Sequence, residues 1–565
     1  MQSLWCTAAL LTVLAPTAAA NFTRGERAQR YGTHEIMLTG SAGAANPFSV
    51  AAEVTFQPPS GRRVTVDAFY DGGTVWRARA YANEVGRWQW SSHCAADKAL
   101  DGLSGSFTVE PSALRGMLRP HRQNSRAWMT DDGQWFLNLS DTAYRLLHSE
   151  AAPDWQRYIA DDIGKGITSL RCAALGGWGG TPGAKTDSGD YWAWNDPWPG
   201  GIQPDHSRFD LRKFQTADER LAWLLDTYPD MQVQLILIGL KGYGGDGTGA
   251  WWAALPAEVR QATLRYMLAR WAAFPNVFWL LVNDMTCTAK QPLNLAFARE
   301  AGSFIAAHDP WHHLLSVGPV RRAGFAFTTE ADRAWCSYVH LEDANAVGAQ
   351  TIDQRGLTDD PRHIFMAEDY YEQDHGSYDD PRFFFRWLLW SWTLAGGSAN
   401  YGGRWGTTDP YSLTNEPGRV WVGWDGTYTG VPLTGLDSVP YLKAYFVDRK
   451  LDLSAFEPAD GLAVDLDGRD GTRRPKVTRR GTQEFLIYHP NAAADSYRAK
   501  VQNGTARLRL DLTRAPGRFD VEWFRALDGV AQAGQPVDGG APVELAAPWP
   551  GQDVVVRLRQ AGAAP

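Results

Sequence analysis

Between about residues 32 and 111, apolar and polar positions alternate in short runs closed by turn residues. Residues 50–56 (VAAEVTF) are followed by Pro58, Pro59, Ser60 and Gly61, and residues 64–70 (VTVDAFY) by Asp71, Gly72 and Gly73. Residues 75–81 (VWRARAY) and, after Gly86, residues 88–90 (WQW) continue the series. A period of two that restarts every ten residues or so predicts a β-sandwich. From about Arg119 the rhythm changes to strand, loop, helix. Strands are expected at 135–139 (WFLNL), 167–172 (ITSLRC), 233–238 (VQLILI), 277–282 (VFWLLV), 313–317 (HLLSV), 336–340 (CSYVH) and 363–367 (HIFMA), with an eighth near 397–401. Between them lie helical patterns. One starts at Ala257 and carries Leu264, Met267, Leu268 and Trp271 on one face; another, from Leu293, carries Phe297, Ala301 and Phe304. The nearly all-apolar 383–390 (FFFRWLLW) predicts a deeply packed helix. Such alternation predicts a (β/α)₈ TIM barrel, with a doubly wound sheet as the alternative. Short strands return at 484–488, 506–511, 519–524 and 554–558, a second β domain. The expected fold is therefore multidomain: a signal segment at 1–20, a β-sandwich at 21–115, a central barrel at 116–455 and a C-terminal β-sandwich at 456–565.

The signal segment rests on the apolar run up to Ala18-Ala19-Ala20, a small-residue cleavage pattern that points to a secreted or periplasmic protein. No later run is long enough to span a membrane. The 565 residues carry 55 Lys+Arg against 63 Asp+Glu, a net charge of -8 that gives no electrostatic reason to bind nucleic acid. Four cysteines remain beyond Cys6 (Cys94, Cys172, Cys287 and Cys336), never as C-x-x-C, so either free thiols or disulfides fit. No zinc pattern is present, and no metal or cofactor is expected. The 26 Trp, 20 Tyr and 23 Phe are more than cores of this size require and suit a chain that stacks the apolar faces of sugars.

In a parallel barrel the reacting side chains stand at the carboxyl ends of strands. Asp141 follows the first expected strand, Asn283 and Asp284 the fourth, His340, Glu342 and Asp343 the sixth, and Glu368 and Asp369 the seventh. An acid directly after an apolar run such as FWLLV is costly unless paired or functional. Glycoside hydrolysis needs two carboxyls, one protonated and one ionised, and acids after strands four and seven face each other across a barrel mouth. Asp343 and Asp369 read as caps or loop salt-bridge partners, and Glu342 as a substitute for either catalyst.

These residues resemble a family. The stretches at 141–144 (DTAY), 279–284 (WLLVND), 367–372 (AEDYYE) and 395–402 (AGGSANYG) are similar to the apiosidase-like glycoside hydrolases, barrels allied to the large retaining-glycosidase clan. Asn46-Pro-Phe48, 69–72 (FYDG), 76–79 (WRAR) and 86–90 (GRWQW) resemble the β-sandwich that often precedes such barrels, and 524–558 the β domain, named after collagen binding, that often follows. The resemblance implies Asp284 as general acid/base, Glu368 as nucleophile, Asn283 on a substrate hydroxyl, Asp141 on the sugar in the −1 subsite and His340 as the strand-six histidine. It implies a carbohydrate substrate, and Trp178, Tyr401 and Trp405 as stacking walls. Most of the wider clan has Glu where Asp284 stands, and the family's first-strand motif commonly reads Gly-Asp-Thr-Ala-Trp where this chain has Ser140 and Tyr144.

Other signals carry less. The G-x-G-x-x-G at 242–247 is followed by no helix at its third glycine and reads as a barrel loop, as does the glycine-rich 176–180. The sequons at Asn138 and Asn503 have a high false-positive rate. A peptidase lacks both a nucleophile elbow and a zinc set. The rival of another class is a secreted carbohydrate-binding or adhesion protein whose barrel is catalytically inactive.

Overall fold

The computed structural model describes residues 20–43, 45–144, 146–147, 155–175, 196–200, 204–241, 245–343, 345–369, 372, 379–402, 420–422, 428–432, 434–495 and 498–562. The expected signal segment lies outside these residues, Ala20 apart. The N-terminal region forms an eight-stranded, mostly antiparallel sheet system in which Ala52–Gln57, Val64–Gly72, Val75–Tyr81 and Gly86–His93 realise the four expected runs. Alternation sorts the side chains: Val54, Phe56, Trp88 and Phe107 are buried, while Glu53, Arg87 and Gln89 face water.

Eight parallel strands follow: β1 (Leu139–Thr142), β2 (Ser169–Ala173), β3 (Gln232–Ile238), β4 (Val277–Val282), β5 (Leu315–Ser316), β6 (Val339–Glu342), β7 (Ile364–Glu368) and β8 (Ser398–Asn400). Their order, β5-β4-β3-β2-β1-β8-β7-β6, runs consecutively around a nearly closed barrel and excludes the doubly wound alternative. The β5–β6 seam is closed by the Ser337 amide donating to the Leu315 carbonyl at 2.8 Å and the Leu315 amide to Ser337 Oγ at 2.7 Å. β2, β3, β4 and β7 are buried at every position, as covered parallel strands require.

The first strand is displaced from its expected place. Trp135–Phe136 pairs instead with Trp128–Thr130, which also pairs with Leu118–Pro120. This small sheet plugs the amino-terminal end of the barrel, where Trp128 packs on Phe278, Tyr338 and Phe365. The apolar content of WFLNL comes from that plug; β1 begins only at Leu139, so Asp141 lies within the strand.

Two buried ion clusters lock the barrel to its flanks. Asp218, on helix Leu211–Thr227, receives Arg79 Nη2 from the N-terminal sheet at 2.7 Å and Arg270 Nη2 from helix Ala257–Trp271 at 2.6 Å; Glu35 and Asp71 supply the balancing charge. On the other side, Arg386 of helix Pro381–Leu394 forks onto both oxygens of Asp553 at 2.7 Å. The C-terminal region forms one seven-stranded and one three-stranded sheet. Strand Val554–Gln560 runs centrally between Glu484–His489 and Arg518–Arg525. Its Val554, Val556 and Leu558 fill the region's own core, whereas Val555, with Tyr488 and Phe524, joins the core that holds Trp390 of the barrel. Cys94, Cys172, Cys287 and Cys336 are buried free thiols.

Burial pushes the Asp218 carboxyl up, but Arg270 and Arg79 outweigh it and hold the group below the usual carboxylate range. Its stabilising effect is therefore present at neutral pH and lost as pH falls through that lowered value. Asp218→Ala removes the carboxylate that two buried guanidiniums share and is expected to cost about 3–5 kcal/mol in urea unfolding at pH 7. The difference from the parent should shrink on acidification.

Candidate active site

Six chain segments deliver one polar cluster to the carboxyl end of the barrel. Arg171 projects inward from β2 and is fully buried. Its Nη2 reaches Glu368 Oε2 at 2.8 Å, Tyr144 Oη at 2.6 Å and Glu342 Oε1 at 3.4 Å, and also donates to Asn283 Oδ1; Nη1 donates to the Ala367 carbonyl at 2.6 Å. A buried cation of this kind is tolerable only where carboxylates surround it.

Local backbone irregularities aim the acids. Successive side chains of a strand point to opposite faces, yet Asn283 and Asp284 both reach the cluster. Asp284 sits in the left-handed region at φ 55°, which folds the chain back so that Asn283 Nδ2 lies 3.1 Å from Asp284 Oδ2. At β7 the register with β6 slips: Leu341 pairs with Met366, but Glu342 pairs with Glu368, leaving Ala367 as the extra residue. Such a bulge re-aims a side chain; here it sets Glu368 directly beside Glu342. Gly318, after β5, is required by this crowding, since a methyl group there would stand 2.9 Å from the Val282 carbonyl and 3.0 Å from Glu342 Oε1.

Asp284, Glu342 and Glu368 each place a carboxylate oxygen within 4.8 Å of the others. Glu368 is held at both oxygens, by Tyr144 (2.9 Å) and Arg171 on Oε2 and by Arg321 on Oε1 at 2.8 Å. Burial, then the charges of Glu342 and Glu368, push the Asp284 carboxyl well above the usual range, against Arg171. Burial and the Glu368 charge likewise raise Glu342. His340 is driven well below the ordinary imidazole value by burial and by Arg171, so it is neutral. The three oxygens have a spacing that could hold a cation, but the Arg171 guanidinium already contacts two of these acids, and the cluster is not assigned to a metal.

The remaining expected residues divide. Asn283 is buried, with both amide ends engaged by Arg171, Tyr144 and Asp284. His340 is enclosed between Glu342 (3.0 Å) and Gln234 (3.3 Å) and supports the acids from below. Asp141 is fully buried, within β1 rather than after it, and accepts hydrogen bonds from the Tyr158 hydroxyl and the Thr142 amide. Tyr401 is buried as well. It packs edge-on to Phe385 and donates to Glu372 Oε2 at 2.5 Å, while Glu372 also accepts the Thr434 and Gly435 amides, clasping the segments that follow β7 and β8. Trp178 and Trp405 lie outside the described residues. Asp343 pairs with Arg355 at 2.7 Å, and Asp369 accepts the Asn345 and Ala346 amides, as loop partners should. Asn138 of the first sequon is buried on Ser398 and Ser169.

Arg171, Tyr144 and Arg321 are cluster members that the sequence reading passed over. For Arg171 a signal existed: a charged residue inside the apolar run ITSLRC carries the same desolvation cost that marks Asp284.

Comparisons with known proteins bear on this arrangement. No curated protein matches the chain. Residues 27–95 match a domain of unknown function, DUF5060. A glycoside hydrolase candidate of known structure from Bacteroides vulgatus superimposes with a TM-score of 0.67 at 18% identity, over 95% of this chain and 100% of its own. A family 5 glycoside hydrolase structure from the same organism gives 0.56 at 15% identity, over 80% and 94%. At such identities these likenesses speak for the fold. The model of the family "Apiosidase-like, catalytic domain" matches residues 122–425, more than half of the chain and every strand of the barrel. The chain belongs to the apiosidase-like glycoside hydrolase family.

Proposed function

We propose that the protein is an exported glycoside hydrolase that acts with retention of anomeric configuration, with Asp284 as general acid/base and Glu368 as nucleophile. Family membership supports the glycosidase reading, and one observation carries the mechanism: the Asp284 and Glu368 carboxylate oxygens approach within 4.8 Å. A retaining pair stands about 5–5.5 Å apart, whereas an inverting pair leaves about 6.5–9.5 Å for a water molecule. The electrostatics agree with these roles. Asp284, whose carboxyl burial and the charges of Glu342 and Glu368 push well above the usual range, is the proton holder; Glu368 pairs with two guanidiniums, which favour the ionised form a nucleophile needs.

In the first step Glu368 forms a bond to the anomeric carbon as the glycosidic C–O bond breaks, and the Asp284 proton passes to the leaving oxygen. In the second, Asp284 takes a proton from water, the water oxygen bonds to the anomeric carbon, and the bond to Glu368 breaks. Arg171 and Tyr144 hold Glu368 Oε2 throughout. The β domains at 21–115 and 456–565, which we read as sandwiches, brace the barrel at 116–455 through the Asp218 and Asp553 ion clusters.

Incubation with plant, algal and bacterial polysaccharides, read by chromatography and anomeric NMR, is expected to yield products whose first-formed anomer matches the cleaved linkage. Binding without any release of reducing ends would favour the inactive, adhesive reading. On a cleaved glycan, Asp284→Asn and Glu368→Gln are each expected to lower kcat about 10²–10⁴-fold or more with an unchanged circular-dichroism spectrum. Because Asp284 must be protonated to donate, kcat/KM should fall as pH rises through its elevated pKa; a basic limb that survives in Asp284→Asn would assign that limb to another group.

A further inference from the structure

The third acid is not explained by the two-carboxyl mechanism. Glu342 is nearly fully buried, and His340 determines which of its oxygens is satisfied. Gln234 Nε2, which also reaches Tyr338 Oη at 2.7 Å, donates to His340 Nδ1 at 3.3 Å. With Nδ1 accepting, the neutral ring carries its hydrogen on Nε2 and donates it to Glu342 Oε1 at 3.0 Å, beside Arg171 Nη2 at 3.4 Å. Oε1 is thus an acceptor twice over. Glu342 Oε2 is buried with no hydrogen-bond partner among the described residues, and the Glu342 carboxyl lies against that of Asp284, one oxygen of each within 4.8 Å. Two carboxyls in such contact close a hydrogen bond only if one of them carries a proton. The charge count agrees: two guanidiniums, Arg171 and Arg321, face three acids, and one proton makes the cluster neutral.

We propose that Glu342 is a positioning residue whose ionised carboxylate, oriented by His340 and Arg171, accepts a hydrogen bond from protonated Asp284 and so keeps the proton that Asp284 delivers to the leaving group. The inference rests on the assignment of Asp284 as acid/base and adds the group that sets its protonation. It also accounts for the return half of the cycle: once Asp284 has given up its proton, its carboxylate stands against an ionised neighbour, and recovering a proton from water relieves the repulsion. The charged and titratable groups facing Glu342 are His340 from its own strand, Asp284 and Cys287 from β4 and the segment after it, Glu368 from β7, Arg171 from β2 and Arg321 from the segment after β5.

The test needs no substrate. In protein labelled with ¹³C at the Asp and Glu carboxyls, resonances assigned by their loss in Asp284→Asn and Glu342→Gln are followed against pH. In the parent, both are expected to move in the same two steps, the signature of a coupled pair. In Glu342→Gln the Asp284 midpoint should fall by about one pH unit or more, since the repelling charge becomes an amide that can donate to ionised Asp284. Reciprocally, in Asp284→Asn the Glu342 resonance should lose its second step and titrate in a single step, and this holds the proposal open to refutation even if Glu342→Gln fails to fold. An Asp284 resonance that titrates independently, at the same midpoint with and without Glu342, overturns it. Coupled titration in a protein that cleaves no glycan would instead overturn the glycosidase assignment and leave the shared proton standing.

Discussion

A single buried cation organises the barrel mouth. Arg171 comes from the middle of an all-buried strand, where a guanidinium has no access to water, and its cost is met only if acidic groups converge on it. Glu368 from β7 and Glu342 from β6 do so directly, and Asn283 beside Asp284 and Tyr144 after β1 share the same Nη2. The same contacts that satisfy the arginine fix the acids relative to one another. Preorganisation of the site and stability of the strand ends are therefore one arrangement, so a substitution at Arg171 would disturb both together.

Much of this was legible in the sequence. VFWLLV occupies the span that its period and composition predict, and acids immediately beyond apolar strands are marked by the expense of placing charge there, which brought Asp284 and Glu368 forward. Phase was harder to read. WFLNL has the composition of a barrel strand but belongs half to the plug beneath the barrel, because apolar content cannot distinguish a strand that lines a core from one that seals its end. Asp141 accordingly falls inside β1 rather than just beyond it, and is buried. Tyr401 shows a related ambiguity: aromatic residues near glycine-rich loops are as well suited to packing as to stacking, and here the ring is buried with its hydroxyl on Glu372.

What the sequence could not carry is the pair of local distortions at the strand ends. Neither the left-handed conformation at Asp284 nor the slipped register at Ala367 leaves a mark on hydrophobic periodicity, and both decide which acids meet. Without them, strict alternation would send Asn283 and Asp284 to opposite faces and turn Glu368 away from Glu342. The weight of the third acid was likewise invisible, since residues 284 and 342 become neighbours only through closure of the ring.

The central position of strand Val554–Gln560 has a consequence for biosynthesis. Because it separates Glu484–His489 from Arg518–Arg525, the seven-stranded sheet cannot assemble until residue 560 has left the ribosome. Up to that moment the barrel face around Trp390 and Arg386 lacks its cover of Tyr488, Phe524 and Asp553. A nascent barrel therefore displays an apolar, positively charged flank until that strand is in place.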